Sequence, residues 1–206
     1  VLGVQPVSEY TFMVFVSPVG PYFKGGVKPL NLKVTSAYHR AAPKGIGNAK
    51  AIGNYSASLY PLMEAKSQGY DEVIYLDAKH ENRIEEVGSA NVFIVKDNVL
   101  KTPKLDGSIL PGVTRDSTIT IAKKIHNHDV LETEITIDEI LHADEVFCTG
   151  TAVVVTPVGT ITHQGEKIVI RDGNMGPCTQ RLRETLVGIQ LQEIDDPFGW
   201  AIAVNG

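Results

Sequence analysis

Residues 84–102 read IEEVGSANVFIVKDNVLKT, and this stretch decides the fold class. Two short apolar runs, 91–96 and 99–102, flank Asp97-Asn98, which is a pattern typical of a β-hairpin. Outward from this hairpin, short apolar runs meet through glycine, proline and asparagine turns and interleave with helical patterns. This succession predicts a mixed α+β domain with a mostly antiparallel, barrel-like sheet and flanking helices.

Periodicity and turn residues predict the other elements. The run Tyr10–Val19 is apolar and aromatic and is predicted to be a buried strand. The helix predicted at 56–68 can take Asn54 or Ser56 as its N-cap. Further strands are predicted at 30–38, 72–77, 131–136, 145–149 and 152–157, a hairpin at 159–170, helices at 114–124, 137–142 and 176–190, and turns at Gly20-Pro21 and Gly25-Gly26.

The composition is that of an ordinary globular chain with an acidic balance. Of the 206 residues, 43% are hydrophobic, and the formal net charge is −5. An acidic chain without basic clusters argues against nucleic acid as a partner, and no apolar run has the length of a membrane span. The two cysteines, Cys148 and Cys178, form no CxxC pair, which favours reduced thiols over a disulfide scaffold.

Lys50 is the first candidate catalytic residue. It stands in a loop rich in glycine, alanine and lysine at 41–53, just before the predicted helix, so its side chain can enter a site between two elements. An amine in such a place can form a Schiff base and later act as a base at a substrate carbon. An exposed loop lysine is the simpler explanation of Lys50 taken alone, and Lys44 competes for the same role.

Glu85 and Glu86 offer a carboxylate, predicted to end a turn before a strand. A carboxylate beside a pyridine nitrogen keeps that nitrogen protonated, so that the ring draws electrons from a substrate carbanion. A pair of solvated acids is the simpler explanation of two adjacent glutamates. The small, apolar residues that follow at 87–91 favour a close approach of the backbone to another group.

Two glycine-containing segments can bind an anion. Pro111–Arg115 opens a predicted helix, where free N–H groups and the Thr114 hydroxyl form an anion site, although an ordinary capped helix has the same pattern. Thr149–Ala152 interrupts a strand with a glycine between two hydroxyls. It suits a phosphate or a carboxylate, and a β-bulge is the alternative.

Together these segments supply an amine, a carboxylate and two backbone sites for anions. That set suits pyridoxal phosphate (PLP), which needs a Schiff-base lysine, an acid for the ring nitrogen and N–H groups for the phosphate. The run around Lys50 lacks the third glycine of a dinucleotide fingerprint and is not a Walker A loop. His126 and His128 lack a third ligand nearby and are expected at the surface, so no metal is predicted.

Four blocks of the chain resemble the signature blocks of branched-chain amino acid aminotransferases, which are PLP enzymes of fold type IV. The blocks run in order along nearly the whole chain, and 144–157 and 188–190 look most like the plant members. The four blocks are Lys50 with Gly53-Asn54-Tyr55, Glu86–Ser89, Leu110–Arg115 and Thr149–Ala152. The resemblance implies the large domain of that fold, with a mixed barrel-like sheet and flanking helices.

The resemblance also implies a role for each site residue. Lys50 is the Schiff-base lysine and the proton shuttle, Tyr55 hydrogen-bonds the phenolic oxygen of the cofactor, and Glu86 pairs with its pyridine nitrogen. The other residues lie at turns and at a helix start. Ser89 lies near the cofactor, and Val113, Thr114 and Thr151 hold its phosphate. Thr151 and Ala152 also border the substrate carboxylate.

The activity that the resemblance implies is transamination of Leu, Ile or Val with 2-oxoglutarate. A D-amino acid aminotransferase and an aminodeoxychorismate lyase are alternatives in the same fold, and Gly150-Thr151-Ala152 favours the branched-chain enzyme over both. A catalytically silent fragment that acts as an assembly partner is an alternative of another class.

The family has a smaller N-terminal domain, which this chain is expected to lack. Residues 1–9 are expected to be the end of the interdomain linker, and residues 10–206 the PLP-binding large domain. The expected assembly is a homodimer without nucleic-acid or membrane partners. An intracellular soluble location is expected, with the plastid favoured over the cytosol and the mitochondrion.

Overall fold

The computed structural model describes residues 3–18 and 26–203, which contain four α-helices and nine strands. The helices are α1 (Ile52–Ser67), α2 (Val113–Lys124), α3 (Ile137–Leu141) and α4 (Pro177–Gln190). The strands are β1 (Leu30–Thr35), β2 (Glu72–Leu76), β3 (Ile84–Val87), β4 (Asn91–Lys96), β5 (Val99–Pro103), β6 (Val130–Thr133), β7 (Glu145–Gly150), β8 (Val154–His163) and β9 (Glu166–Val169).

All nine strands form one curled sheet. Its order is β3-β2-β1-β8-β7-β4-β5-β6, with β9 beside β8. The pairs β1–β2, β1–β8 and β5–β6 are parallel, and the other five are antiparallel. Strand β3 stands at one end of this order and β4 near the other end. A tight turn at 88–90 joins these two strands, so the sheet curls into a half-barrel. The predicted mixed, barrel-like sheet with flanking helices is confirmed.

The two faces of the sheet bury separate apolar clusters. Along β4, Val92 and Ile94 face the inside of the curl, whereas Phe93 packs outward with α2 and α4. The Phe93 ring stacks on that of Phe147 in β7, with centroids 5.0 Å apart. Because successive side chains of a strand point to opposite faces, a strand covered on both sides is apolar throughout, which explains the unbroken apolar run at 92–95.

The predicted buried strand at Tyr10–Val19 is wrong over its described part. Residues 10–18 pair with no strand, and Tyr10, Phe12 and Phe15 are 82%, 91% and 81% exposed. The composition suits a strand, but strand preference is realised only against a neighbouring strand and a covered face. Four of the predicted positions lie outside the described residues: Val19, Gly20, Pro21 and Gly25.

The start of α1 also differs from the prediction. The helix begins at Ile52, and its N-cap is Ala51 instead of Asn54 or Ser56. The Asn54 side chain donates from Nδ2 to the carbonyl oxygens of Ile46 and Ala49, at 2.7 and 2.9 Å. Asn54 therefore holds the preceding loop against the start of the helix. Its helix-capping preference does not predict these two hydrogen bonds.

The later elements follow the prediction closely, with one merger. The strand predicted at 152–157 and the first half of the hairpin at 159–170 form the single strand β8. In the described residues, the structure contains no helix that is both long and apolar enough to cross a membrane.

Candidate active site

Glu86 is the most heavily coordinated acid of the site. It lies within β3, not at the end of a turn as predicted, and it is 2% exposed. Its Oε2 atom lies 2.7 Å from Arg40 Nη2, and its Oε1 atom accepts hydrogen bonds from Asn91 Nδ2 (2.7 Å) and the Leu110 N–H (3.3 Å). Burial raises the pKa of Glu86 to about 8, although Arg40 acts in the opposite direction. The carboxyl is thus held in one orientation.

Asn91 joins this carboxyl to the start of α2. Its Nδ2 atom also donates to the Leu110 carbonyl oxygen, at 2.9 Å, and a Cβ atom on Gly112 would overlap its Oδ1 atom. No side chain caps α2, and Val113 at its first position is 83% exposed. The first N–H groups of a helix carry positive partial charge and need acceptors. This end of α2 can therefore take an anion.

The turn after β7 lies beside the turn that precedes β4. Asn91 of β4 pairs with Thr149 of β7, and a Cβ atom on Gly150 would lie 3.9 Å from Ala90 Cβ. The Thr149 hydroxyl is buried without a hydrogen-bond partner in the described part of the chain. The structure therefore brings three predicted regions to one edge of the sheet: the turn with Ser89, the turn with Thr151 and Ala152, and the start of α2.

Lys50 and Tyr55 form a second group. The Lys50 Nζ atom donates to the Tyr55 hydroxyl at 3.0 Å and lies 4.8 Å from the centre of its ring. Lys50 is exposed and Tyr55 is half-buried. Within the described residues, Lys50 forms no ion pair with Glu86. Lys44 is also exposed, with a left-handed backbone (φ 65°).

The loop that carries Lys50 is tied to the segment that leads to Glu86. A Cβ atom on Gly47 would overlap the Ser108 carbonyl oxygen, so only a glycine permits this approach. The same oxygen accepts a hydrogen bond from Arg40 Nη2, the atom that also pairs with Glu86. Arg40 thus links the Lys50 loop, the 107–110 segment and the buried carboxyl.

Two of the residues around Glu86 were not predicted. Asn91 had a sequence signal, because it ends the small-residue segment 87–91, for which a close approach was predicted. Arg40 had none, because an arginine before a loop is ordinarily solvated. Its role is visible only from its partners in the fold.

The histidine pair differs from its prediction. His128 is buried, with Nε2 3.7 Å from Cys178 Sγ, so its predicted surface position is wrong. Both Cys148 and Cys178 are free and buried. Among the described residues, no three His, Cys, Asp or Glu side chains form a group that could hold a metal ion.

The contact between Gly112 and Asn91 leads to a prediction. Gly112→Ala should weaken PLP binding about tenfold or more, because overpacking of a close contact costs about 1–3 kcal/mol and displaces both Asn91 and the helix start. An absorbance titration with PLP measures the change in Kd. Gly53→Ala is the matched control: its new Cβ atom meets open space in α1, and it should raise the free energy of unfolding by about 0.5–1 kcal/mol. An unchanged Kd for Gly112→Ala would contradict the assigned anion site.

Comparisons with known sequences point to one family. A family model described as amino-transferase class IV matches residues 2–161. Over 205 residues the chain is 49% identical to branched-chain-amino-acid aminotransferase 3, chloroplastic, of Arabidopsis thaliana, a match that covers 100% of this chain and 49% of that protein. The chain spans about half the length of the curated relatives it matches.

Solved structures share the fold. The branched-chain amino acid aminotransferase of Escherichia coli superposes with a TM-score of 0.80 at 38% identity, over 89% of this chain and 59% of that chain. The branched-chain amino acid aminotransferase of Thermobaculum terrenum in its PLP form superposes with a TM-score of 0.72 at 29% identity, over 79% and 51%. The predicted fold type is confirmed.

Proposed function

This chain belongs to the class IV amino-transferase family, and on that premise we propose that the protein is a PLP-dependent transaminase. It exchanges the amino group of Leu, Ile or Val for the oxo group of 2-oxoglutarate and yields a branched-chain 2-oxo acid and glutamate. The observation that carries the proposal is the buried Glu86 carboxyl, held by Arg40 and Asn91 beside the uncapped start of α2. The names of the curated relatives support the substrate class.

The residues of the site fit PLP. Glu86 offers a fixed carboxyl for the ring nitrogen, and the Tyr55 hydroxyl suits the phenolic oxygen. The start of α2 lacks a capping side chain, which suits a phosphate. When bound, PLP withdraws electrons from the substrate Cα and so acidifies its proton. The proposed phosphate ligands and the adjoining turn residue are Val113, Thr114, Thr151 and Ser89.

Lys50 is proposed to move the proton of the reaction. Its Nζ atom takes the proton from the substrate Cα and later returns one, as a general base and then a general acid. The Tyr55 hydroxyl, 3.0 Å from Nζ, orients the amine for both steps. The backbone N–H groups of Thr151 and Ala152, in the exposed turn after β7, are proposed to bind the substrate carboxylate.

The assembled protein is proposed to be a homodimer. Four apolar side chains of α1 are exposed at the spacing of one helix face: Ile52, Leu59, Tyr60 and Met63. A second copy would cover this face in a twofold-symmetric dimer. Sedimentation equilibrium of the full-length protein tests this, and a monomer at assay concentrations would contradict it.

The domain division remains part of the proposal, with the linker at 1–9 and the large domain at 10–206. A plastid location is also proposed, and the chloroplastic name of the Arabidopsis relative supports it.

Steady-state rates with L-Leu and D-Ala distinguish the branched-chain enzyme from a D-amino acid aminotransferase. Retained PLP with no transamination of any substrate would favour the silent assembly partner.

One experiment tests cofactor and lysine together. PLP is added to the protein, the product is reduced with borohydride, and the peptides are mapped. A pyridoxyl group on Lys50 is the expected result. A label on Lys44, or on no lysine of a folded full-length protein, would overturn the proposal.

A further inference from the structure

Glu85 and Glu86 are adjacent on β3, and both are buried, each 2% exposed. Arg40 lies between them, with Nη2 2.7 Å from Glu86 Oε2 and Nε 3.9 Å from Glu85 Oε2. Two carboxyls and one guanidinium thus share a buried site. If both carboxyls were ionised, the triad would bury a net negative charge, which is strongly unfavourable without a compensating partner.

The hydrogen bonds of the two carboxyls are unequal. Glu86 receives three donors, from Arg40, Asn91 and the Leu110 N–H. Neither oxygen of Glu85 has a hydrogen-bond partner in the described part of the chain. The nearby Ser108 hydroxyl, which acts to lower the pKa of Glu85, donates instead to Asp106 at 2.7 Å. Donors stabilise the charged form of a carboxyl, whereas burial without donors favours the neutral form. Burial raises the pKa of both carboxyls, so the pair retains a proton whose raised pKa belongs to the two groups together. The unequal donors place that proton on Glu85 and the negative charge on Glu86.

We propose that Arg40, Glu85 and Glu86 share a single exchangeable proton near neutral pH, that Glu85 holds it, and that this arrangement keeps Glu86 ionised and aligned. The consequence for catalysis rests on the proposed function, in which Glu86 faces the ring nitrogen of PLP. Glu85 is then a positioning residue. Once it loses its proton, it competes with Glu86 for the Arg40 guanidinium.

The surroundings of Glu85 allow the proton to exchange. Glu85 lines a cavity of about 310 Å³ between the β2–β3 turn and the 103–109 segment. Both Glu85 oxygen atoms are buried, so exchange of the proton with water requires the lining of this cavity to open. The other charged and titratable groups that line the cavity are Asp77, Lys79, His80, Arg83, Lys104, Asp106 and Glu134. The charge of Arg115 in α2 also acts to lower the pKa of Glu86.

The triad should make the stability of the folded chain depend on pH. Burial raises the pKa of both Glu85 and Glu86 above the ordinary glutamate value of about 4.3. The folded chain then holds a proton that the unfolded chain releases, so the contribution of this pair to stability is fully present below about pH 4.3 and is lost as the pH rises through the raised pKa of the folded pair. Because the two groups are coupled, this titration belongs to the pair.

The shared proton can be detected by infrared spectroscopy of the cofactor-free full-length protein at pH 7. A protonated carboxyl gives a C=O band that a carboxylate lacks. We expect this band in the wild type and its loss in both Glu85→Gln and Glu86→Gln, because in either variant the remaining carboxyl is the sole partner of the Arg40 charge and is held ionised by it. Both variants keep the size of the side chain, so the loss reports the shared proton and not a change in packing.

Any other pattern overturns the proposal. A wild type without the band carries no shared proton, and a band that survives Glu85→Gln belongs to another carboxyl. If Glu86→Gln fails to fold, the wild type and Glu85→Gln decide the question alone. Since these spectra need no PLP, their failure is distinct from a failure of borohydride labelling at Lys50.

A second measurement tests the positioning role. In the PLP-loaded protein, the visible absorbance of the cofactor is expected to disappear above a limiting pH. This limit should be higher in Glu85→Gln than in the wild type, because a glutamine side chain cannot acquire the negative charge that would compete for Arg40. A merely structural role of Glu85 would lower stability at every pH without moving this limit. An unmoved limit in a folded, PLP-loaded variant would overturn the positioning role.

Discussion

Lys50→Ala is expected to abolish transamination by the full-length protein, with a loss of about 10⁴-fold or more in kcat/KM. The substitution removes the only atom of the site that is proposed both to attach the cofactor and to move the Cα proton. The Tyr55 hydroxyl, which Lys50 Nζ contacts at 3.0 Å, cannot replace an amine in either role. Initial rates with L-Leu and 2-oxoglutarate measure the loss.

Lys44→Ala is the matched control for this prediction. Both lysines are exposed in the same loop, and both substitutions remove one positive charge. Lys44→Ala should keep the rate and the borohydride label. Equal losses of rate in the two variants would mean that transamination depends on the positive charge of this loop and not on Lys50 itself. The catalytic assignment of Lys50 would then be wrong.

Glu145→Ala is expected to lower the free energy of unfolding by about 3 kcal/mol or more. The Glu145 carboxyl is buried at the start of β7 and accepts three hydrogen bonds from the first turn of α4: from the Cys178 N–H (3.0 Å), the Thr179 N–H (2.8 Å) and the Thr179 hydroxyl (2.7 Å). Each buried donor left without a partner costs about 1–3 kcal/mol. Urea denaturation measures the change.

Glu184→Ala provides the control for this stability effect. Glu184 lies on the exposed side of the same helix, where it accepts a hydrogen bond from Gln180. Surface substitutions usually change stability by no more than about 0.5 kcal/mol. If both variants unfolded at the same urea concentration, Glu145 would not be the acid that anchors α4 to the sheet.

The parts of the site that could be predicted lie within short segments. Lys50 was predicted from its place in the loop before α1, and Tyr55, five residues further on, from the block that resembles the aminotransferase family. The proposed anion site at 111–115 is likewise predicted from a local pattern of proline, glycine and a helix start. Such patterns are readable because turn and helix geometry acts over a few residues.

Arg40 and the unequal environments of Glu85 and Glu86 could not be predicted in this way. The two glutamates are chemically identical neighbours, and both are buried. What separates them is which one meets Asn91, Leu110 and Arg40, and those residues come from three separate segments of the chain. A buried carboxyl takes its charge state from its partners, so its chemistry is decided only when the segments pack.

The sequence by itself determined the order of most helices and strands from β1 onward, the position of the lysine before α1 and the proposed anion site at the start of α2. These features follow from hydrophobic periodicity and turn residues, whose physical range is a few positions. The sequence predicted a turn in place of β3 and two elements in place of β8. Only the tertiary structure decided that 10–18 forms no strand, that Arg40 and Asn91 hold Glu86, and that Glu145 anchors α4. Strand pairing, burial and ion pairing are contacts between distant segments, and their free energy exists only once those segments meet.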